Sequence, residues 1–350
     1  MGIIADIRTQ RLHRAKNASE QKYLLYDSFP EITDTELAET RQTWPSMDIG
    51  KKDLIWSRIY KKEHGFSPYM IGSWQTHLVR KALNPYPQLS SFENKALADL
   101  YFPEIPFPEA IVRRIGGVYY DGGMNSMTME DALNRLLSES SFIIKPAFGT
   151  MQGQGVSKIR LEGDRESDSK KIVSSFVSSN SDFVVQKVLS QHPDVARLNP
   201  SSLNCCRVTT IYLNGKSGHS TILKFGKNGS NVDNWHSSYI AGVTADGCLK
   251  DTAFDCKLGK VTCSDSGFAF GGMKLPVYDL MVETVGRFHR KYFPNCGIVG
   301  WDVFIDADGA PRIIEANLTK PGVVAEQYAS GTFFEPFCGA INDRVKSTFL

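Results

Sequence analysis

Apolar positions recur along the chain in two rhythms. Val277, Leu280, Met281, Thr284, Val285, Phe288 and Tyr292 fall at helical spacing behind Pro276 and predict one long helix. Thr33 and Glu36, just before Leu37, have the spacing of a capping box, and Thr128 with Asp131 opens a second capped helix carrying Leu133, Leu136 and Leu137. A short helix is predicted over 74–83, and residues 1–90 read as mostly helical and polar. Short runs at 142–145, 183–189, 207–213 and 221–225 predict strands, with a hairpin over 110–120 and a strand pair at 298–306 and 311–318. Residues 86–91 read as a linker or turn, 93–100 as a helix, and 103–108 as proline-rich extended chain. Antiparallel strands with interspersed helices point to α+β lobes more than to a doubly wound sheet.

Composition narrows the classes. The chain has 350 residues, enough for about two domains at ~150 residues each. Its 40 Lys+Arg against 38 Asp+Glu leave a net charge of +2, which argues against a dedicated nucleic-acid binder. The 20 Phe, 13 Tyr and 5 Trp need a core and rule out large-scale disorder. No apolar run is long enough for a membrane-spanning helix, so no integral membrane association is expected. Seven cysteines without a Cys-x-x-Cys pair suggest neither a zinc ribbon nor a disulfide framework, and the chain reads as reduced and cytoplasmic. Arg8, Arg11, Arg14 and Lys16 read as a solvated basic helix face.

The most informative segment runs from Gly300 to Asn317. Asp308-Gly309 signals a two-residue hairpin turn, which pairs Ala307 with Ala310 and places Asp302 opposite Glu315. Alternation then puts Asn317 on the same face, opposite Gly300, where the missing side chain leaves space. Trp301, Val303, Ile305, Ile314 and Ala316 make up the buried face. Two carboxylates facing across a ladder repel, and a divalent cation between them reverses the sign. Oxygen ligands of this kind suit Mg²⁺. The alternative is a surface hairpin with solvated acids.

A second segment carries glycines. After the strand ending in Lys145-Pro146, the run Ala147-Phe148-Gly149-Thr150-Met151-Gln152-Gly153-Gln154-Gly155 turns into another strand. Glycines allow close backbone approach, so the loop can cradle phosphate oxygens, with Lys145 adding a point charge. It lacks the Gly-Lys-Ser/Thr of a Walker loop. By itself it is equally a structural hairpin; together with a magnesium hairpin it becomes a nucleotide site.

The lysine and glycine loop, followed by Asp302 and Glu315-x-Asn317, resemble the ATP-grasp superfamily. More narrowly, Asn94-Lys95, Lys145-Pro146, Gln191-His192-Pro193, Asn204-x-x-Arg207-Val208-x-Thr210, Val232-Asp233-Asn234, Gly300-Trp301-Asp302 and Ile314-Glu315-x-Asn317 resemble the sugar-transfer-associated ATP-grasp family of bacterial surface-polysaccharide pathways. The resemblance spans roughly 92–335. It implies an α+β ATP-grasp fold with a helical region at 1–91, a lobe at 92–190 and a second lobe at 191–350. ATP would lie between the lobes with Mg²⁺, its adenine against the hinge at Gln186, Lys187, Val188 and Leu189. Lys95, Lys145, Gly149, Gln152, Gly153 and Gly155 would hold the phosphates, and Asp302, Glu315 and Asn317 the metal.

The same resemblance gives Arg207 a place by the γ-phosphate or acyl phosphate; read from the residues alone it is equally a surface strand cation. Asn204, Lys224, Asp233 and Asn234 are candidates for the substrate. Arg113, Arg114, Arg207, Lys224 and Lys227 are candidates for a basic acceptor pocket. Three departures bear on the substrate: Lys224 stands where the family often has arginine, Ser238-Tyr239 replace a glycine pair, and Cys205 replaces a common threonine. Arginine to lysine forfeits bidentate recognition. The implied activity is ATP-dependent ligation of a carboxylate to an amine through an acyl phosphate, with a sugar acid as one partner. The alternative is a phosphotransferase acting on a hydroxyl compound.

Overall fold

The computed structural model describes residues 3–148, 155–161, 167–168, 170–171, 174–175, 182–227 and 236–349. Four helices open the chain: α1 (Ile3–Gln21), α2 (Asp34–Thr43), α3 (Ile55–His64) and α4 (Ser73–Leu83). The capping box at α2 forms as read. The Glu36 N–H donates to Thr33 Oγ1 at 3.2 Å, and the Thr33 N–H donates to the Glu36 carboxylate at 2.8 Å.

The next stretch departs from expectation. Residues Pro87–Glu93 form a 3₁₀ helix rather than a linker, and only Ala98–Tyr101 (α5) is α-helical where 93–100 was predicted. Tertiary partners outcompete the helix. The Glu93 carboxylate accepts from the N–H groups of Leu318 and Thr319 at 2.7 and 2.8 Å, while Asn94 Oδ1 takes the Ala96 N–H.

The first sheet follows. β1 (Ala110–Ile115) and β2 (Val118–Asp121) form the predicted hairpin, turning through Gly116 and Gly117 at φ +57° and +86°. With β3 (Ser126–Met127), β4 (Ser141–Pro146), β5 (Ser157–Arg160) and β6 (Phe183–Lys187) they make an antiparallel sheet ordered β3-β2-β1-β6-β4-β5. The capped helix α6 (Met129–Leu137) buries Ala132, Leu133 and Leu136 against Phe142, Ile144, Phe183 and Val185.

A short helix, α7 (Pro193–Ala196), leads to the second sheet. Its strands are β7 (Cys205–Leu213), β8 (Lys216–Gly226), β9 (Ser238–Val243), β10 (Leu249–Phe254), β11 (Lys260–Val261), β12 (Ile298–Ile305) and β13 (Pro311–Asn317). Their order is β11-β10-β9-β8-β7-β12-β13, again antiparallel. The long helix α8 (Tyr278–Tyr292) lays Met281, Val285 and Phe288 on one face, against Val208, Phe225, Trp301 and Val303.

Helices from both ends of the chain cover the opposite face. Ile49, Leu54 and Leu83 pack with Ile211, Leu213, Ile298 and with Ile341 of α10 (Cys338–Phe349). Trp56 and Ile59 pack with Ile222, Ile240 and Tyr328 of α9 (Val324–Ser330). All eight residues of β12 are consequently buried. Each apolar side chain so buried contributes about 1.5–3 kcal/mol, which makes this strand the centre of the second lobe.

Hydrogen bonds tie the sheets together at one end of β6. The Ala307 N–H donates to Ser190 O and the His192 N–H to Ile305 O, so the segment leaving β6 is clamped to the β12–β13 hairpin. Gly300 is part of that hairpin, on β12, but does not face open space. A Cβ there would come within 2.7 Å of Pro321 O and 2.9 Å of Pro321 Cα. Gly300→Ala is expected to destabilise by about 1–3 kcal/mol in urea titrations. Gly339→Ala, on helix α10 with nothing within 4 Å, should instead stabilise by about 0.4–1 kcal/mol.

Candidate active site

The turn of the β12–β13 hairpin is one residue longer than the Asp308-Gly309 signal suggests. The Asp306 N–H donates to Ala310 O at 2.9 Å, and the Gly309 N–H donates to Asp306 O at 3.0 Å with Gly309 at φ +79°. The Asp306 carboxylate caps the loop, accepting from the N–H groups of Asp308 and Ala310 at 3.1 and 2.8 Å. Ala307 therefore does not pair with Ala310, and Val303, Phe304 and Ile305 face Ile313, Arg312 and Pro311.

A bulge between the Asp302 and Val303 pairs absorbs the extra residue. Beyond it the expected register returns: Asp302 lies opposite Glu315, and Gly300 opposite Asn317. The bulge falls at Ile314. Ile313, not Ile314, enters the core, while Ile314 joins Glu315 and Asn317 in lining a cleft of ≈ 1750 Å³ between the sheets.

Cations surround the acidic pair. Arg207 and Asp302 are cross-strand partners on β7 and β12, and the guanidinium donates through Nε and Nη2 to the two carboxylate oxygens, each at 2.8 Å. Lys224, from β8, reaches Asp302 Oδ1 at 3.2 Å. Burial disfavours the Asp302 charge, but Arg207 and Lys224 outweigh it and hold the carboxyl well below the usual range. Burial likewise works against Arg207, and Asp302 outweighs it, so the guanidinium stays charged. Asn317 Nδ2 lies 3.3 Å from Asp302 Oδ2. Across the ladder, Lys95 Nζ sits 3.2 Å from Glu315.

Lys145, at the end of β4, is buried and lines the same cleft. Burial, and then the neighbouring charge of Lys95, push its ammonium down to about 8, with Glu315 opposing. Gln186 is buried beside it, its amide donating to Pro108 O at 3.1 Å. Lys187, Val188 and Leu189 line the cleft where the chain leaves β6, and Lys187 turns its ammonium to Glu109 at 2.8 Å.

Other sequence candidates are placed elsewhere. Asn204 is buried, and its amide donates to Gln191 Oε1 at 2.9 Å and Val195 O at 2.8 Å. It fastens the 191–204 loop rather than facing the cleft. Gly155, the last residue of the glycine run, has φ +72°. Gly149, Gln152, Gly153, Asp233 and Asn234 lie outside the described residues. The five-cation acceptor pocket does not assemble. Arg113 is buried on Asp99 and the Ala96 carbonyl, Arg114 lies over Tyr119, and Lys227 pairs with Asp255, leaving only Arg207 and Lys224 together.

The sequence reading missed one wall. Lys16, read as part of a solvated face, lines the cleft with His77, Arg80 and Lys320. Helical periodicity around Lys16 gave no sign of this, because the wall is made by docking α1 and α4 beside β13.

Among the described residues, no group of three or more His, Cys, Asp or Glu side chains is arranged to hold a metal ion. The candidate trio is two carboxylates and an amide. Its oxygens are the hard donors that Mg²⁺ takes, and Asp302 and Glu315 face each other on paired strands, so the donor set fits that ion.

The sequence model of sugar-transfer associated ATP-grasp proteins matches residues 75–341. The chain belongs to that family. The match takes in both sheets, the hairpin and the cleft, and the α+β architecture is the ATP-grasp fold. No curated protein matches the chain.

Solved structures resemble it distantly. D-alanyl-alanine synthetase A from Vibrio cholerae is 12% identical with a TM-score of 0.46, over 75% of this chain and 67% of that one. D-cycloserine synthetase DcsG is 16% identical with a TM-score of 0.45, over 89% and 93%. The ATP-grasp ligase PsnB, solved with its minimal precursor, is 15% identical with a TM-score of 0.42, over 76% and 64%. None of these likenesses assigns a substrate to this family member.

Lys145 provides a direct check on the cleft. Its folded value lies below that of an exposed lysine, so the unfolded chain binds more protons between about 8 and 10.5, and stability rises with pH across that window. Lys145→Met should stabilise the ligand-free protein at pH 7 by about 1–4 kcal/mol. The gain should shrink as pH rises through that window, as read by urea unfolding at several pH values.

Proposed function

We propose that this protein is an ATP-dependent carboxylate–amine ligase, joining a sugar acid to an amino acid or amine in the cytoplasmic synthesis of a surface polysaccharide. The observation that carries the reading is the convergence of Lys95, Lys145, Arg207 and Lys224 on Asp302, Glu315 and Asn317 in a cleft between two antiparallel sheets. That assembly suits a triphosphate with a divalent ion, and membership in the ATP-grasp family agrees with it. On this reading residues 92–190 and 191–350 are the two ATP-grasp lobes, and residues 1–91 are an added helical region.

Adenine occupies the side of the cleft made by Gln186, Lys187, Val188, Leu189 and Ile314. Asp302, Glu315 and Asn317 would hold Mg²⁺, which supplies charge neutralisation to the phosphates. Lys145 and Lys95 direct ammonium groups at the phosphate oxygens. Arg207 faces the transferring group while its other guanidinium nitrogen anchors Pro321 O at 2.7 Å.

A carboxylate oxygen of the acid attacks the γ-phosphorus, and ADP departs with the electrons of the broken P–O bond. The amine nitrogen then adds to the acyl carbon, inorganic phosphate leaves with the C–O electrons, and the nitrogen gives its surplus proton to solvent. No side-chain nucleophile is needed.

The test is ADP release from Mg²⁺-ATP across sugar carboxylates, with and without amino acids, with products weighed by mass spectrometry. The expected result is release that needs both partners, and a product mass equal to their sum less water. Glu315→Ala should lower turnover by about 10²-fold or more. A phosphorylated hydroxyl compound formed without an amine would overturn the ligase reading and leave a kinase.

A further inference from the structure

We propose that Lys16, His77, Arg80 and Lys320 form a subsite for the acid group of an anionic sugar. The subsite lies where α1 and α4 wall the cleft. Its role in catalysis rests on the ligase reading; its binding does not.

Charge is the first argument. The whole chain carries 40 basic and 38 acidic residues. Among the described residues lining the cleft, eleven are lysine or arginine and three are aspartate or glutamate. Four of the cations meet Asp302, Glu315 and the phosphate position. Lys16 forms a separate group with Arg80 and Lys320, and His77 lies within the field of Arg80 and Lys16. Burial and then the charge of Arg80 weaken the Lys16 ammonium, with Lys320 adding to them and Glu20 opposing.

The acids nearby accept backbone N–H groups, although the second oxygen of the buried Glu20 carboxylate has no hydrogen-bond partner. The Glu20 carboxylate accepts the Ser73 N–H at 2.7 Å, and burial pushes that carboxyl up. Glu93, which faces Arg80, accepts the N–H groups of Leu318 and Thr319. An anion entering here would relieve the repulsion among the cations.

The donors are also held in place. Arg80 donates to Thr319 O and, at 2.9 Å, to His77 Nδ1. Burial, Arg80 and Lys16 push His77 down to about 4, so its ring is neutral at pH 7. Because Arg80 can only donate, His77 Nδ1 accepts, and the ring hydrogen sits on Nε2. The ring plane is fixed by a stack of His13 on Trp74 at 4.4 Å and Trp74 on His77 at 5.6 Å.

Hydroxyl groups complete the chemistry of a sugar site. Ser19, Ser73 and Thr76 line the same wall, backed by the buried rings of Tyr23 and Trp56, which pack on each other at 4.9 Å. Lys16 precedes the matched span 75–341, so the subsite lies partly outside the part of the chain that the family model describes.

Calorimetric titration of the full chain tests this, with D-glucuronate, D-glucose 6-phosphate and neutral D-glucose as probes, with and without saturating Mg²⁺-ADP. One or both acids should bind in preference to glucose, and their relative affinity identifies carboxylate or phosphate as the preferred acid group. Lys16→Glu and, as a second variant, Lys320→Gln should each weaken acid binding by about tenfold while leaving Mg²⁺-ADP affinity within about twofold. Lys16-dependent acid binding without Mg²⁺-ADP binding would support the subsite and sink the ligase reading. Absence of acid binding, equal binding of glucose, or acid affinity unchanged in both variants would overturn the subsite.

Discussion

Asp302 is the one charged side chain in a strand whose eight residues are all buried. A carboxylate in that position carries a large desolvation cost unless it is paired. The pairing comes from the two strands beyond it: Arg207 on β7 closes on both carboxylate oxygens, and Lys224 on β8 reaches one of them. This couples the strand order β8-β7-β12 to the electrostatics of the site. The same Arg207 anchors Pro321, whose backbone fills the space beside Gly300, so the loop leaving the acidic hairpin is set by the same ion pair. The geometry of the candidate site and the packing of the second lobe are thus one construction.

The cations follow a consistent logic. Lys95 lies against Glu315, and Lys145 is buried against Lys95 at the cost of a depressed ammonium. Gathering like charges in a half-enclosed cleft destabilises the empty protein and favours any polyanion that enters. A site of this kind gains binding energy by relieving repulsion as well as by forming contacts. The wall supplied by α1 and α4 extends that field beyond the hairpin and gives the N-terminal helices a part in recognition, in addition to covering the β-sheet.

Alternation and turn chemistry, which are local properties, made much of this legible beforehand. The capping boxes at Thr33 and Thr128, the helix beginning after Val277 and the strands around Lys145 and Arg207 all formed close to their expected places. The pairing of Asp302 with Glu315 was also correct, although the turn beside it was not. A three-residue loop added one residue and the bulge at Ile314 removed its effect, so two departures cancelled at the pairing of Asp302 with Glu315. Between them they did not cancel, and Ile314 moved from the expected core into the cleft.

What the sequence by itself determined was therefore the type of element and the identity of the acidic, oxygen-donor hairpin, because periodicity, caps and residue chemistry act over a few neighbouring positions. Tertiary structure alone decided which cations meet. Arg113 and Lys227 were drawn to Asp99 and Asp255, while Lys16, Arg80 and Lys320 came together from segments as distant as residues 16 and 320. Long side chains take the partner that three-dimensional packing brings within a few ångströms, and no local pattern encodes that distance.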